Sequence, residues 1–241
     1  MRLAICGACV AVTLTLIGHT VGAKAVEAPA REAPAWQDNF TIRLEALALL
    51  ETLNAELLSH DSATLTLDRW CATHRLASPP RIIAERVHGV FKAPTEAQRR
   101  LLNVGPTEPI RYRRVKLACG THILSEADNW YVPSRLTPEM NHALDTTDIA
   151  FGRAVLSLNF RRRTLSAKLL WSPLPEGWEM GARSLQEDNG RLWIPLYVLE
   201  HRAVLTLPDG TPFSEVVESY TNEVFAFPQP PNGTASGRNQ K

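Results

Sequence analysis

The 241-residue chain reads as an α+β protein, built on a mainly antiparallel sheet with a few helices on one side. Two observations predict this. Near the front, Leu47, Leu50, Leu53 and Leu57 recur at spacings of three and four, the period of one buried helical face. Further on, apolar and polar residues alternate in runs separated by Gly120 and by Pro208-Asp-Gly210, the pattern of strands joined by tight turns. A helical front followed by paired strands is an α+β order. With 44% hydrophobic and 21% charged residues, the chain is long enough for one sizeable core.

Residues 1–25 carry two basic residues, Arg2 ahead of an apolar run from Leu3 to Ile17 and Lys24 between Ala23 and Ala25, which stand in an A-x-A arrangement. They read as a secretory signal peptide cleaved after Ala25, which makes the mature protein periplasmic or secreted. An uncleaved anchor is the alternative, but the run falls short of the roughly 20 residues that span a bilayer. The mature form is then expected to have no membrane span. It keeps 24 basic against 25 acidic residues, so no general attraction to nucleic acid is expected. Any anion must be held by a local cluster.

Residues 26–40, rich in Ala and Pro, read as a flexible linker, and a domain is expected over 41–228. After the leucine helix, "ATLTLDRWCATH" alternates at period two and reads as a strand. "RIIAERVHGVFKAP" reads as another extended piece, and "PTEAQRRLLNV" as a short helix. "RYRRVKLAC" and "THILSEADNWYVP" flank Gly120 as a hairpin. Thr137 before Pro138 is an N-cap with proline at the first helical position, so "TPEMNHAL" is a short helix.

A surface insertion is expected at about 163–195, where "LPEGWEMGARSLQEDNG" breaks periodicity. The "RRR" of Arg161 to Arg163 reads as a wet surface turn. Two late runs, "RLWIPLYVLEHRAVLTL" and "FSEVVESYTNEVFAF", form a strand pair, and 229–241 is a disordered tail.

Cys71 and Cys119, each in an apparent strand, could form one disulfide in an oxidising compartment; two buried small hydrophobes is the alternative. His74 and His122 lack the spacing of a metal site with them, so no metal is expected.

The order and spacing of three pieces resemble the chorismate lyase family, whose fold is shared with the ligand-binding domain of many bacterial transcription regulators. The pieces are the arginine-led strand "RYRRVKLAC" turning into a strand that ends in "YVP", the helix "TPEMNHAL" running into "DIAFGRA", and the late pair "HRAVLTLPDGTPFSEVVESY". The resemblance spans about Thr41 to Phe227. It implies a chorismate lyase-like fold and cleavage of chorismate to 4-hydroxybenzoate and pyruvate in a closed pocket, with no cofactor.

It also implies site residues. The carboxylate-binding arginine falls at Arg113 or Arg114, and strand parity favours Arg113, which shares a face with Val115 and Leu117. The catalytic glutamate falls at Glu218, the apolar residue whose backbone meets ligand at Phe151, and the helix residue under the pocket flap near Leu53. Asn129 stands where the lyases carry an arginine, and Phe151 replaces their leucine. An export signal on a lyase is also unusual, because chorismate is made in the cytoplasm. The function expected is therefore an exported chorismate lyase-like protein, or alternatively a non-catalytic binder of a small carboxylated ligand on the same fold. Of the neighbouring Trp130 and Tyr131, which alternate across their strand, only one is expected to join the core.

Overall fold

The computed structural model describes residues 36–181 and 190–228. The expected signal peptide, linker residues 26–35, the expected tail at 229–241 and residues 182–189 of the expected insertion lie outside them. The described chain is α+β, with one six-stranded antiparallel sheet and a few helices.

Residues 36–39, expected as linker, are instead packed. Trp36 is 2% exposed and meets Phe225 and Phe227 edge-on, because an indole that size is stabilised by leaving water. Helix α1 (Phe40–Ser59) starts at Asn39, whose Oδ1 accepts from the Ile42 amide. It buries Ile42, Ala46, Leu50, Leu53 and Leu57, one stripe at spacings of three and four. Each buried leucine of that stripe contributes about 1.5–3 kcal/mol.

Helix α2 (Ala63–Thr73) corrects the strand expected there. Ser62 caps it by accepting from the Leu65 amide, and Ala63, Thr64, Leu67, Trp70 and Cys71 form its buried face at helical spacing. Cys71 is thus helical, while Cys119 ends a strand. The two are disulfide-bonded with Cα atoms 6.2 Å apart, tying α2 to the sheet.

The strands are β1 (Ile82–Arg86), β2 (Arg111–Cys119), β3 (His122–Tyr131), β4 (Arg161–Leu169), β5 (Tyr197–Thr206) and β6 (Pro212–Thr221), in the spatial order β1-β2-β3-β6-β5-β4. The expected late run from Arg191 becomes strand only from Tyr197. The hairpin β2–β3 turns at Gly120, whose φ of +59° disfavours side chains, and a Cβ there would come within 2.8 Å of Ala77 Cβ. Strand β4 takes in 163–169, the first part of the stretch expected as a surface insertion. The arginine run is strand, not a surface turn.

Three short helices complete the fold. Helix α3 (Glu96–Leu101) has a Thr95–Gln98 capping box. Helix α4 (Pro138–Thr146) is capped by Thr137, and α5 (Phe151–Ala154) is a single turn. Cross-strand register aligns Arg113, Asn129, Val216 and Ala203 in one row, and Val115, Ala127, Glu218 and His201 in the next. Both rows belong to the face that packs on α1 and α2. Val204, of opposite parity, joins Leu102 and Val132 in a smaller cluster beside α3. No helix among the described residues is long and apolar enough to cross a membrane.

Candidate functional site

The inward face of β2, β3, β6 and β4 does not pack completely against the helices. A cavity of about 40 Å³ remains, open to solvent on one side. Its polar lining is Arg113, Asn129, Arg162 and Glu218, with Asp61, Ser62 and Thr64 at the start of α2. Period-two parity brings the first four together from four strands. Close approach of the helices completes the wall, since a Cβ on Gly152 would lie 2.7 Å from Ser62 Oγ and 3.1 Å from Thr64 Oγ1.

Arg113 is 8% exposed. Its Nη2 donates to the Ile149 carbonyl at 3.0 Å, whereas Nε and Nη1 have no hydrogen-bond partner. Burial is the main cause that holds its guanidinium below the usual range, at about 10, so it stays charged at neutral pH. A buried cation with free donors is costly in isolation, and the cost falls when an anion arrives.

Arg162 is buried too, but paired. Its Nη2 lies 2.6 Å from Glu218 Oε2, with only 4% and 6% of the two side chains exposed. Burial opposes its charge, and the charges and hydrogen bond of Glu218, Tyr220 and Asp61 together outweigh this, so the guanidinium is held above its ordinary value. Tyr220 donates to the same Glu218 oxygen at 3.2 Å. Its own proton is held far more tightly than usual, first by burial and then by the charge of Glu218. Behind this pair, fully buried His201 donates from Nε2 to Asn54 Oδ1 at 2.9 Å, and burial pulls it down to about 4.

Asn129 lines the cavity with Oδ1 accepting from Ser214 at 2.9 Å. Phe151 also lines it, and stacks among Tyr131 and Phe213. Leu53 does not: it is fully buried in the α1 stripe and belongs to the core. Arg114 points to the opposite face, where it pairs with Glu126 at 2.6 Å and Asp128 at 3.1 Å. Trp130 and Tyr131 are both buried, contrary to the expectation that one would be. Tyr131 joins the Phe151 cluster, and Trp130 is covered on the other face by the loop whose Lys92 carbonyl accepts its Nε1 proton.

Arg162, Ser62, Thr64 and Gly152 were missed from sequence. For Arg162 a signal existed, since three arginines in a strand must send the middle one to the face opposite its neighbours. For the others the signal was the Ser62 cap, hidden by the alternating leucines and threonines that follow it. Among the described residues, no three His, Cys, Asp or Glu side chains are grouped to hold a metal ion.

Fold and cavity together define an α+β protein with a polar hollow, lined by two arginines, against one face of an antiparallel sheet. The chain belongs to the family of the uncharacterized protein y4mC of Sinorhizobium fredii, with 63% identity over 196 residues covering 81% of this chain and 83% of that protein. No family model matches the chain. Among solved structures it is similar to PhnF from Mycobacterium smegmatis (14% identity, 69% of this chain and 66% of that one, TM-score 0.45). It is also similar to a GntR-family transcriptional regulator from Enterococcus faecalis (14% identity, 58% of this chain and 93% of that one, TM-score 0.36). YydK from Bacillus subtilis is a third (18% identity, 59% of each chain, TM-score 0.36). The chain spans less than two thirds of the YydK and PhnF chains. A likeness of that depth fixes neither ligand nor activity.

Proposed function

We propose that this protein binds a small carboxylated molecule in the cavity of β2, β3, β4 and β6, with Arg113 as the anion-binding group. The observation that carries this is a charged, buried guanidinium whose Nε and Nη1 have no partner among the described residues. Arginine is suited to the role because its planar donors match carboxylate geometry. Titration with 4-hydroxybenzoate tests it. Binding in the wild type and its loss in Arg113→Met support the reading, and equal binding by both overturns it.

A second reading, chorismate cleavage, is favoured by one observation: Glu218 lines the same cavity as Arg113, as a lyase needs of its acid. Release of pyruvate from chorismate by the mature protein, lost in Glu218→Ala, would establish it. Without pyruvate the protein is a binder. We also propose export, supported by the signal-like first 25 residues and by the Cys71–Cys119 disulfide, which persists in oxidising compartments. N-terminal sequencing of protein recovered from the periplasm should begin at Val26.

A further inference from the structure

Resting on the carboxylate-binding reading above, we infer that the cavity selects monoanions over dianions, and that Glu218 sets this selectivity by neutralising Arg162. Among the described residues, four charged side chains face the hollow. Strand β2 contributes Arg113, β4 contributes Arg162, β6 contributes Glu218, and the turn before α2 contributes Asp61. Arg162 and Glu218 form a pair almost fully withdrawn from water, so the charge of each is offset by the other, although Arg162 Nε keeps no hydrogen-bond partner among the described residues. Asp61 sits at the rim, 40% exposed, against the 78% exposed Arg161, and its other oxygen accepts the Arg162 amide proton.

That leaves Arg113. Among the described residues no carboxylate forms an ion pair with it: Asp145 is taken by Arg111 and Asp148 lies beside Arg86, so both act on Arg113 only from a distance. One uncompensated cation matches one ligand carboxylate. A second carboxylate on the same ligand would find no free cation, and would lie near the Glu218 and Asp61 oxygens in a site where water screens little.

The remaining wall is apolar, with Val115, Leu117, Ala127, Phe160, Leu205 and Val216. Its polar exceptions, Asn129, Ser62 and Thr64, offer neutral hydrogen bonds. The ligand class is therefore a small monocarboxylic acid with an uncharged, largely apolar body that carries a hydroxyl or carbonyl group. Chorismate, with its two carboxylates, falls outside that class, so the same charge count separates the two readings of function.

Three shape-matched probes test this by calorimetric titration of the full chain at pH 7: isophthalamide (neutral), 3-carbamoylbenzoate (monoanion) and isophthalate (dianion). The expected result is that 3-carbamoylbenzoate binds at least tenfold tighter than either of the others. In Glu218→Gln, which keeps the shape but frees the Arg162 charge, isophthalate should gain at least tenfold relative to 3-carbamoylbenzoate. Isophthalate binding as tightly as the monoanion in the wild type overturns the monoanion selectivity and leaves the carboxylate site standing. A preference that Glu218→Gln does not change removes Glu218 as its cause and overturns that assignment. If neither anion binds better than isophthalamide, the carboxylate reading fails and this inference with it. The wild-type comparison stands without the variant, so its outcome does not depend on how well Glu218→Gln folds.

Discussion

Arg113 and Arg162 are the same residue type on neighbouring parts of one face, yet their partners give them different roles. Arg162 has a carboxylate 2.6 Å away and supports the site. Arg113 has one backbone acceptor and two idle nitrogens, an arrangement that lowers stability until something binds. Arg113→Met should therefore leave the free protein as stable as wild type or raise it by up to about 2 kcal/mol, because an apolar chain of similar length replaces an uncompensated buried charge. The same change should weaken carboxylate binding by about ten- to a hundredfold. Denaturant midpoints and titrations check both, and a stability loss above about 2 kcal/mol would make Arg113 structural instead. The orientation of Arg113 rather than Arg114 was legible in the sequence, since parity alone puts it beside Val115 and Leu117. Its lack of a partner was not legible, because that depends on which acids β1, β3 and β6 place nearby.

At the level of elements, the walls of the cavity are set by how closely α2 and α5 approach. Gly152 is the point of contact, packed against Ser62 and Thr64 at the start of α2. Gly152→Ala should cost about 1–3 kcal/mol and weaken ligand binding by moving that wall, because Ser62 Oγ would be only 2.7 Å from the new Cβ. Gly105→Ala, with nothing within 4 Å of its added Cβ, is the control and should be close to neutral in thermal unfolding. Equal effects of the two would remove Gly152 from the argument. Helix α1, the β2–β3 hairpin and α4 were readable from local patterns: the leucine stripe, Gly120, and the Thr137–Pro138 start. Helix α2 was not, because Thr64, Leu65, Thr66 and Leu67 alternate like a strand over four residues. The helical stripe from Ala63 through Leu67 to Trp70 and Cys71 emerges only when its tertiary partners are known. Tertiary packing overrode local propensity there.

Across the whole molecule, the decisive step is the insertion of β6 between β3 and β5, which sets Glu218 beside Ala127, far away in sequence, as well as beside His201 of its own hairpin. The turn at Pro208–Gly210 predicts β5 next to β6, but no local pattern predicts β3 next to β6. The late acid was expected at the site only through resemblance to a family. The same pairing buries His201 beneath the Arg162–Glu218 pair, and this gives the fold a pH dependence whose sign follows from linkage. Burial lowers His201 from 6.5 to about 4, so between those values the unfolded chain binds a proton that the folded chain does not. Stability therefore falls as pH drops through this window, by up to about 3 kcal/mol when the shift is converted at 1.36 kcal/mol per unit. His74, also lowered by burial, adds in the same direction. The acids Asp128 and Asp209 are lowered below 3.8 and lose their contribution only at still lower pH, while Glu139, lowered from 4.5 by backbone and Thr137 hydrogen bonds, adds in the same direction at the bottom of the window. His201→Gln keeps a donor toward Asn54 but cannot take up a proton, so its stability should fall less than wild type between pH 6.5 and 4. Urea denaturation across that range measures the difference, and parallel curves for the two proteins would show that His201 is not the group that titrates.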